Sequence, residues 1–360
     1  MNTKSIKLLE ELTNAHGAPG FEREVRDIFK RELEGIGTFH ADKVGSIYCE
    51  TGTAGPKVML EAHMDEVGFR VQNITPDGFI QFVTLGGWWT HSLLSQRVTI
   101  LTQTGEKILG VVCSKPPHFL GADARDNVLP VEALFIDVGA TSYLNLVNDF
   151  GINIGDPMVP DSKFTPLGRN NLFVAKAFDN RLGMAGVIET AQRVQGMPLP
   201  NRTQFAAAAQ EEVGLRGAKT LAAKARPDCA IILEGPPADD TPGMSQAEAQ
   251  GRLGRGVQIR MQDPTAIMNP GLCKLAIETA QKHKIPYQVT VRRSGGTDAG
   301  SFHLANEGIP SIVLGTPARY IHSHNAMMNI NDYRAMVALS TALLRELDEE
   351  AVLGFTDYLS

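Results

Sequence analysis

The sequence predicts an α/β fold, a sheet covered by helices on both faces and interrupted by a small β-rich insertion. Three observations carry this. From residue 163 onward, strand-like and helix-like segments alternate. Ahead of that region stands KVMLEAH (57–63), a buried-strand pattern ending at a histidine. Between the two, residues 66–162 change texture to short β-type runs separated by turns such as PDG (76–78) and TGE (104–106). The expected division is 1–65 plus 163–360 for the α/β domain and 66–162 for the insertion.

The elements follow in order. Leu8, Leu9 and Leu12 mark the apolar stripe of a first helix. A turn, HGAPG (16–20), leads into a second helix over 22–34. The insertion offers the strands GFRVQNI, GFIQFVTL, RVTILTQ and KILGVVCS. Beyond it, LFVAKAF (172–178), TQFAAAAQ (203–210), CAIILE (229–234), YQVTVRR and IPSIVLG read as strands. Helices are expected at 180–194, GLRGAKTLAAKA, GLCKLAIETAQKHK, SFHLANEG and 332–352.

Composition narrows the function. The chain has 360 residues, 43% hydrophobic, with a formal net charge of −6 and no long charged run. That argues against nucleic acid or an anionic membrane as the main partner. The N-terminus lacks the apolar core of a signal peptide, and no apolar run reaches the roughly 20 residues that span a bilayer. Cys49, Cys113, Cys229 and Cys273 are widely spaced, the pattern of reduced thiols in a cytoplasmic protein.

In such sheets ligands bind at the carboxyl ends of strands. The expected strands end in a conspicuous set. KVMLEAH stops at His63, with Asp65 and Glu66 just after. LFVAKAF stops at Asp179, CAIILE at Glu234, and the loop after IPSIVLG carries His322 and His324. TQFAAAAQ runs into two adjacent carboxylates, Glu211 and Glu212. Singly, each is ordinary: strand-end carboxylates cap helices, and a lone histidine is often a satisfied core residue. Together they form an N/O donor set suited to divalent zinc, cobalt or manganese. Two ions about 3.5–4 Å apart need a bridging carboxylate, for which Asp179 is the candidate. The division expected here is His63 and His322 on one ion, Glu212 and Glu234 on the other. Asp65, two residues beyond His63, is positioned to orient it. The adjacent pair then has a purpose. Neighbouring side chains leaving a strand point apart, so Glu212 can ligate while Glu211 acts as general base.

These segments resemble a known family. AHMDEVGF (62–69), KAFDNRLG (176–183), QEEVGLRGA (210–218), ADDTPG (238–243), GGTDAG (295–300) and RYIHS (319–323) are similar to the motifs of the M42 metallo-aminopeptidases, the TET-type and glutamyl aminopeptidase-like enzymes, some of which carry the name endoglucanase. HGAPGFERE (16–24) and FIDVGATS (135–142) extend the likeness over nearly the whole chain. The resemblance implies a mixed-sheet, zinc-peptidase-like catalytic domain and a PDZ-like or β-barrel dimerisation domain. It implies two divalent ions on His63, His322, Glu212, Glu234 and the bridging Asp179, with Glu211 as base, and a cis peptide after Asp179. It also implies dimers assembling into a dodecamer that admits short peptides. One departure stands out: Glu234 occupies a position where many members carry Asp.

The activity expected is metal-dependent hydrolysis of N-terminal residues from short peptides. An amidohydrolase, deacylase or carboxypeptidase-like relative is the alternative, motivated by Glu234. A glycosidase needs paired carboxylates in an aromatic groove, for which only Trp88 and Trp89 offer a platform. A metal-binding scaffold without activity would need a missing ligand or base. Acidic, aliphatic and basic first residues all stay open at this stage, as do the roles of His324, Asp298 and Arg319.

Overall fold

A computed structural model describes residues 3–121, 127–168, 170–245 and 248–359. An eight-stranded mixed sheet runs through the α/β part. Its spatial order is Thr38–Ala41, Ile47–Thr51, Arg202–Ala208, Lys57–His63, Cys229–Glu234, Ser311–Gly315, Val257–Gln262 and Tyr287–Val291. The four strands from Arg202–Ala208 to Ser311–Gly315 are mutually parallel, with Ala208 beside His63 and Glu234 beside Gly315. Their carboxyl ends therefore open on one edge of the sheet.

The parallel strands are apolar on both faces because helices cover both. Met59, Leu60, Ile231, Ile232, Ile312 and Leu314 are fully buried; burying each such side chain contributes about 1.5–3 kcal/mol. The helix Phe178–Val194 packs on this layer through small residues. At Gly183 a Cβ would lie 2.9 Å from Ala62 Cβ and would collide with the Leu233 carbonyl. The alanine run 206–209 serves the same end: it is fully buried, and Gly217 donates to the Ala209 carbonyl at close approach.

The β-rich stretch is a closed six-stranded barrel. Its circular order is Gly68–Ile74, Ile80–Leu85, Phe135–Asp137, Lys107–Cys113, Arg97–Leu101 and Pro157–Pro160, every pair antiparallel. It has a core of its own, including Phe69, Phe82, Ile100, Ile136 and Met158.

Several elements differ from the sequence reading. The strand at 172 ends at Ala175 and pairs in a separate four-stranded sheet with Thr165–Leu167 and Ala326–Asn329, not in the central one. The final helix breaks after Glu346, and a second, Glu349–Gly354, starts on Asp348, whose side chain accepts the Ala351 N–H. The sequence reading leaves out three central-sheet strands, Thr38–Ala41, Ile47–Thr51 and Val257–Gln262, and the expected helix at 301–308 is a short one, Ala299–Phe302. Among the described residues, no helix is long and apolar enough to cross a membrane.

Candidate metal centre

His63 is the last residue of its strand and is buried. Its Nε2 lies 3.2 Å from Asp179 Oδ1, 3.8 Å from Glu234 Oε2 and 3.9 Å from Glu211 Oε2. His322 approaches from the far side, its Nε2 3.3 Å from both Asp179 Oδ2 and Glu212 Oε2. Asp179 is thus central, with one oxygen toward each imidazole.

Asp179 does not sit at a central strand exit. It lies in the distorted entrance of the helix Phe178–Val194, after Ala177 at φ +56° and before a cis Asp179–Asn180 peptide. Asn180 fixes this kink to the sheet. Its Nδ2 donates to the Leu233 carbonyl at 2.8 Å, and its Oδ1 accepts the Gly183 N–H at 3.0 Å. The residue beside Asp179 is thereby tied to the residue before Glu234.

The distances alone allow more than one division of the donors. His63 is nearest one Asp179 oxygen, with Glu234 and Glu211 beyond, and His322 is nearest Glu212 and the other Asp179 oxygen. His63, Asp179 and Glu212 also offer ligand atoms within 4.8 Å of one another.

Asp65 is fully buried and has a broader role than its spacing suggests. Its Oδ1 accepts the Glu211 N–H at 2.9 Å and its Oδ2 the Glu212 N–H at 3.0 Å. His63 Nδ1 is 3.2 Å from the Asp65 carbonyl and 3.5 Å from its Oδ1.

Electrostatics fit a cation. Burial, then repulsion from neighbouring acids, holds the Glu211 carboxyl well above the usual range, although His63 opposes. Burial pushes Glu234 up to about 8, with His63 opposing and Asp179 adding. Burial disfavours a charged His322, yet Asp179 and Glu212 raise it to about 11. Glu212 Oε1 is buried with no hydrogen-bond partner. Four carboxylates around two imidazoles, with an orphaned acceptor, suit divalent ions, which would offset the repulsion.

A cavity of about 360 Å³ is lined by His63, Asp179, Glu211, Glu212, Glu234 and His322 together. The barrel roofs part of it: a Cβ on Gly87 would lie 3.4 Å from His322 Nδ1. Arg260, from the overlooked strand, is the one Arg or Lys among the lining residues. It donates to Asp263 at 3.0 Å, and its Nε is buried without a partner. A lone Arg within the apolar run VQIRM was the sequence signal for it. The unassigned residues lie off the cavity. His324 is buried beside Trp88, Arg319 is bidentate on Asp240 at 2.6 and 2.7 Å, and Asp298 is buried against Glu61.

A family model described as M42 glutamyl aminopeptidase matches residues 45–339. The chain belongs to the M42 peptidase family. It is an aminopeptidase, 36% identical over 354 residues to the glutamyl aminopeptidase of Lactococcus lactis subsp. cremoris, a match covering 97% of this chain and 98% of that one. The TET aminopeptidase from a marine-sediment Thaumarchaeota archaeon superposes with a TM-score of 0.95 at 39% identity, over 98% of this chain and 100% of that one. The TET1 peptidase of Pyrococcus horikoshii, which can assemble into a tetrahedron or a large octahedral shell, superposes with a TM-score of 0.86 at 30% identity, over 95% of this chain and all of that one. For an M42 peptidase, the donor set at the sheet edge is the natural seat of divalent metal.

Proposed function

We propose that this chain is a dinuclear metallo-aminopeptidase that removes N-terminal residues from short peptides. The observation that carries the reading is Asp179, whose two oxygens face two different histidines. His63, Glu234 and Asp179 Oδ1 would hold one ion, and His322, Glu212 and Asp179 Oδ2 the other. Zinc or cobalt fits these N/O donors, with manganese a further candidate. Ions bound there would polarise the scissile carbonyl and acidify the attacking water.

The chain's own groups do the rest. Glu211 lies on the cavity wall, its Oε2 within 3.9 Å of His63 Nε2. A carboxylate in that place can take a proton from water and return it to the leaving amine. Asp65 holds the Glu211 backbone and lies beside the His63 ring. Arg260 lines the cavity with its Nε unpartnered and favours peptides with an acidic first residue.

Residues 66–162 form an inserted domain through which dimers associate, and dimers build a dodecamer. Exposed Trp89, Leu109, Val111 and Phe119 on the β-rich part support this. Four unbridged cysteines, three of them buried, support a cytoplasmic setting.

Glu211→Gln tests the reading. Bound metal should stay at the wild-type level while kcat falls by roughly 10²–10⁴-fold. Full activity in this variant would overturn the assignment of the base.

A further inference from the structure

The residue that carries Glu211 stands in an unusual backbone setting. Gln210 leaves the strand in the left-handed region, φ +59°, a conformation that is strained for a non-glycine residue. Three consecutive amides then point at carboxylates. Those of Glu211 and Glu212 go to Asp65. That of Gln210 goes to Glu22 Oε1 at 3.2 Å. Glu22 Oε1 also accepts the Gly20 N–H at 2.7 Å. Glu22 is 1% exposed, although it stands 188 residues away in sequence.

We propose that Glu22 is a positioning residue for Glu211. One buried oxygen joins two distant turns, Gly20 and Gln210, and holds Gln210 in its left-handed conformation. The Glu211 carbonyl is fixed from the other side by the Gly214 and Leu215 amides, at 2.9 and 2.8 Å. The base is thus held by its backbone at both ends, and its carboxylate starts from one fixed Cα. Asp65 serves Glu211 and Glu212 alike, whereas Glu22 acts one residue earlier and touches no metal-ligating side chain. The metal donors therefore stay in position without Glu22, but the base does not.

The inference rests on Glu211 being the base, and the experiment separates the two. Three variants are compared: Glu22→Gln, Glu22→Asp and Glu22→Ala. Both hydrogen bonds go to the same oxygen, so a glutamine amide oxygen can accept both. Aspartate keeps the charge but is one methylene too short to reach both amides. Glu22→Gln should stay within about twofold of wild-type kcat, while Glu22→Asp and Glu22→Ala lose about tenfold or more with KM little changed, as expected of a misplaced catalytic group. Metal content should be unchanged in all three.

A second readout is independent of turnover. Amide hydrogen exchange of Gln210 in metal-free protein should quicken by about tenfold in Glu22→Asp and stay at the wild-type rate in Glu22→Gln, the rate following the local opening equilibrium. Retention of kcat and exchange rate by Glu22→Asp, with loss in Glu22→Gln, would overturn the inference in favour of a role for the charge alone. Unchanged exchange in every folded variant would overturn it outright. If wild type fails to cleave, or Glu211→Gln cleaves normally, the base assignment falls, and exchange still decides whether Glu22 holds the segment.

Discussion

Replacing Glu66 with glutamine removes the one anion shared by two buried cations. Glu66 is 1% exposed. Lys176 Nζ donates to both its oxygens, at 2.5 and 2.7 Å, and Arg181 Nη2 donates to Oε1 at 3.1 Å. Arg181 is fully buried, and it also pins the carbonyls of Met64 and Leu12, at 2.9 and 2.6 Å. Breaking a buried ion pair by removing one partner costs about 3–5 kcal/mol, because the other charge is left without compensation. Here two cations lose their partner, so the upper half of that range is expected. The assay is urea denaturation followed by far-UV circular dichroism, at fixed metal concentration. The control is the double variant Glu66→Gln with Lys176→Met, which removes one stranded cation and should recover at least 1 kcal/mol relative to Glu66→Gln alone, a coupling of the size seen within one charge network. A loss below about 1 kcal/mol for Glu66→Gln, the range of an exposed pair, would mean that Glu66 does not compensate the two buried cations. So would a double variant less stable than the single one.

Gly183→Ala would drive a Cβ against Ala62 and the Leu233 carbonyl. It should cost about 1–3 kcal/mol and weaken metal retention, because Asp179 and Glu234 flank the collision; equilibrium dialysis reads the second effect. Burial lowers the Lys176 pKa to about 8 despite Glu66. Between that value and its ordinary range near 10.5 the unfolded chain binds more protons, so this group's contribution to stability should rise with pH over that window. Denaturation midpoints of wild type and Lys176→Met across pH 8–10 check this, the variant losing that slope. Arg260→Met should lower kcat/KM for peptides with an acidic first residue by about 10–100-fold, with little change for alanine-initiated ones. An equal loss on both would remove Arg260 from side-chain recognition.

The site was legible where chemistry coincides with strand ends. His63, Glu211, Glu212 and Glu234 follow apolar runs that could only be buried strands, so their polar termini had to open on the carboxyl edge. Asp179 was chosen for the same reason, yet it reaches the centre through a kinked helix entrance held by Asn180. Sequence spacing does not distinguish the two routes. Which histidine lies nearest which acid depends on the side of Asp179 from which each loop arrives, and sequence spacing does not carry that. Arg260 was missed with its strand, since VQIRMQ is short and charged at its centre. Glu22 opens the second expected helix, at 22–34, and only the tertiary contact with Gln210 reveals its burial. The barrel was visible as closely spaced β runs, whereas its closure needed Phe135–Asp137 and Pro157–Pro160, each too short to show a period.

The central claim is metal-dependent removal of N-terminal residues. The direct measurement is amino-acid release from short peptides, each with a free and with an acetylated amino terminus. Metal-free protein reloaded with zinc, cobalt or manganese supplies the enzyme. Release is expected only from free termini and only with metal, fastest for an acidic first residue. Cleavage of acetylated peptides at a comparable rate, or release from the carboxyl end, would contradict it and turn attention to Glu234 as the mark of a different amidohydrolase.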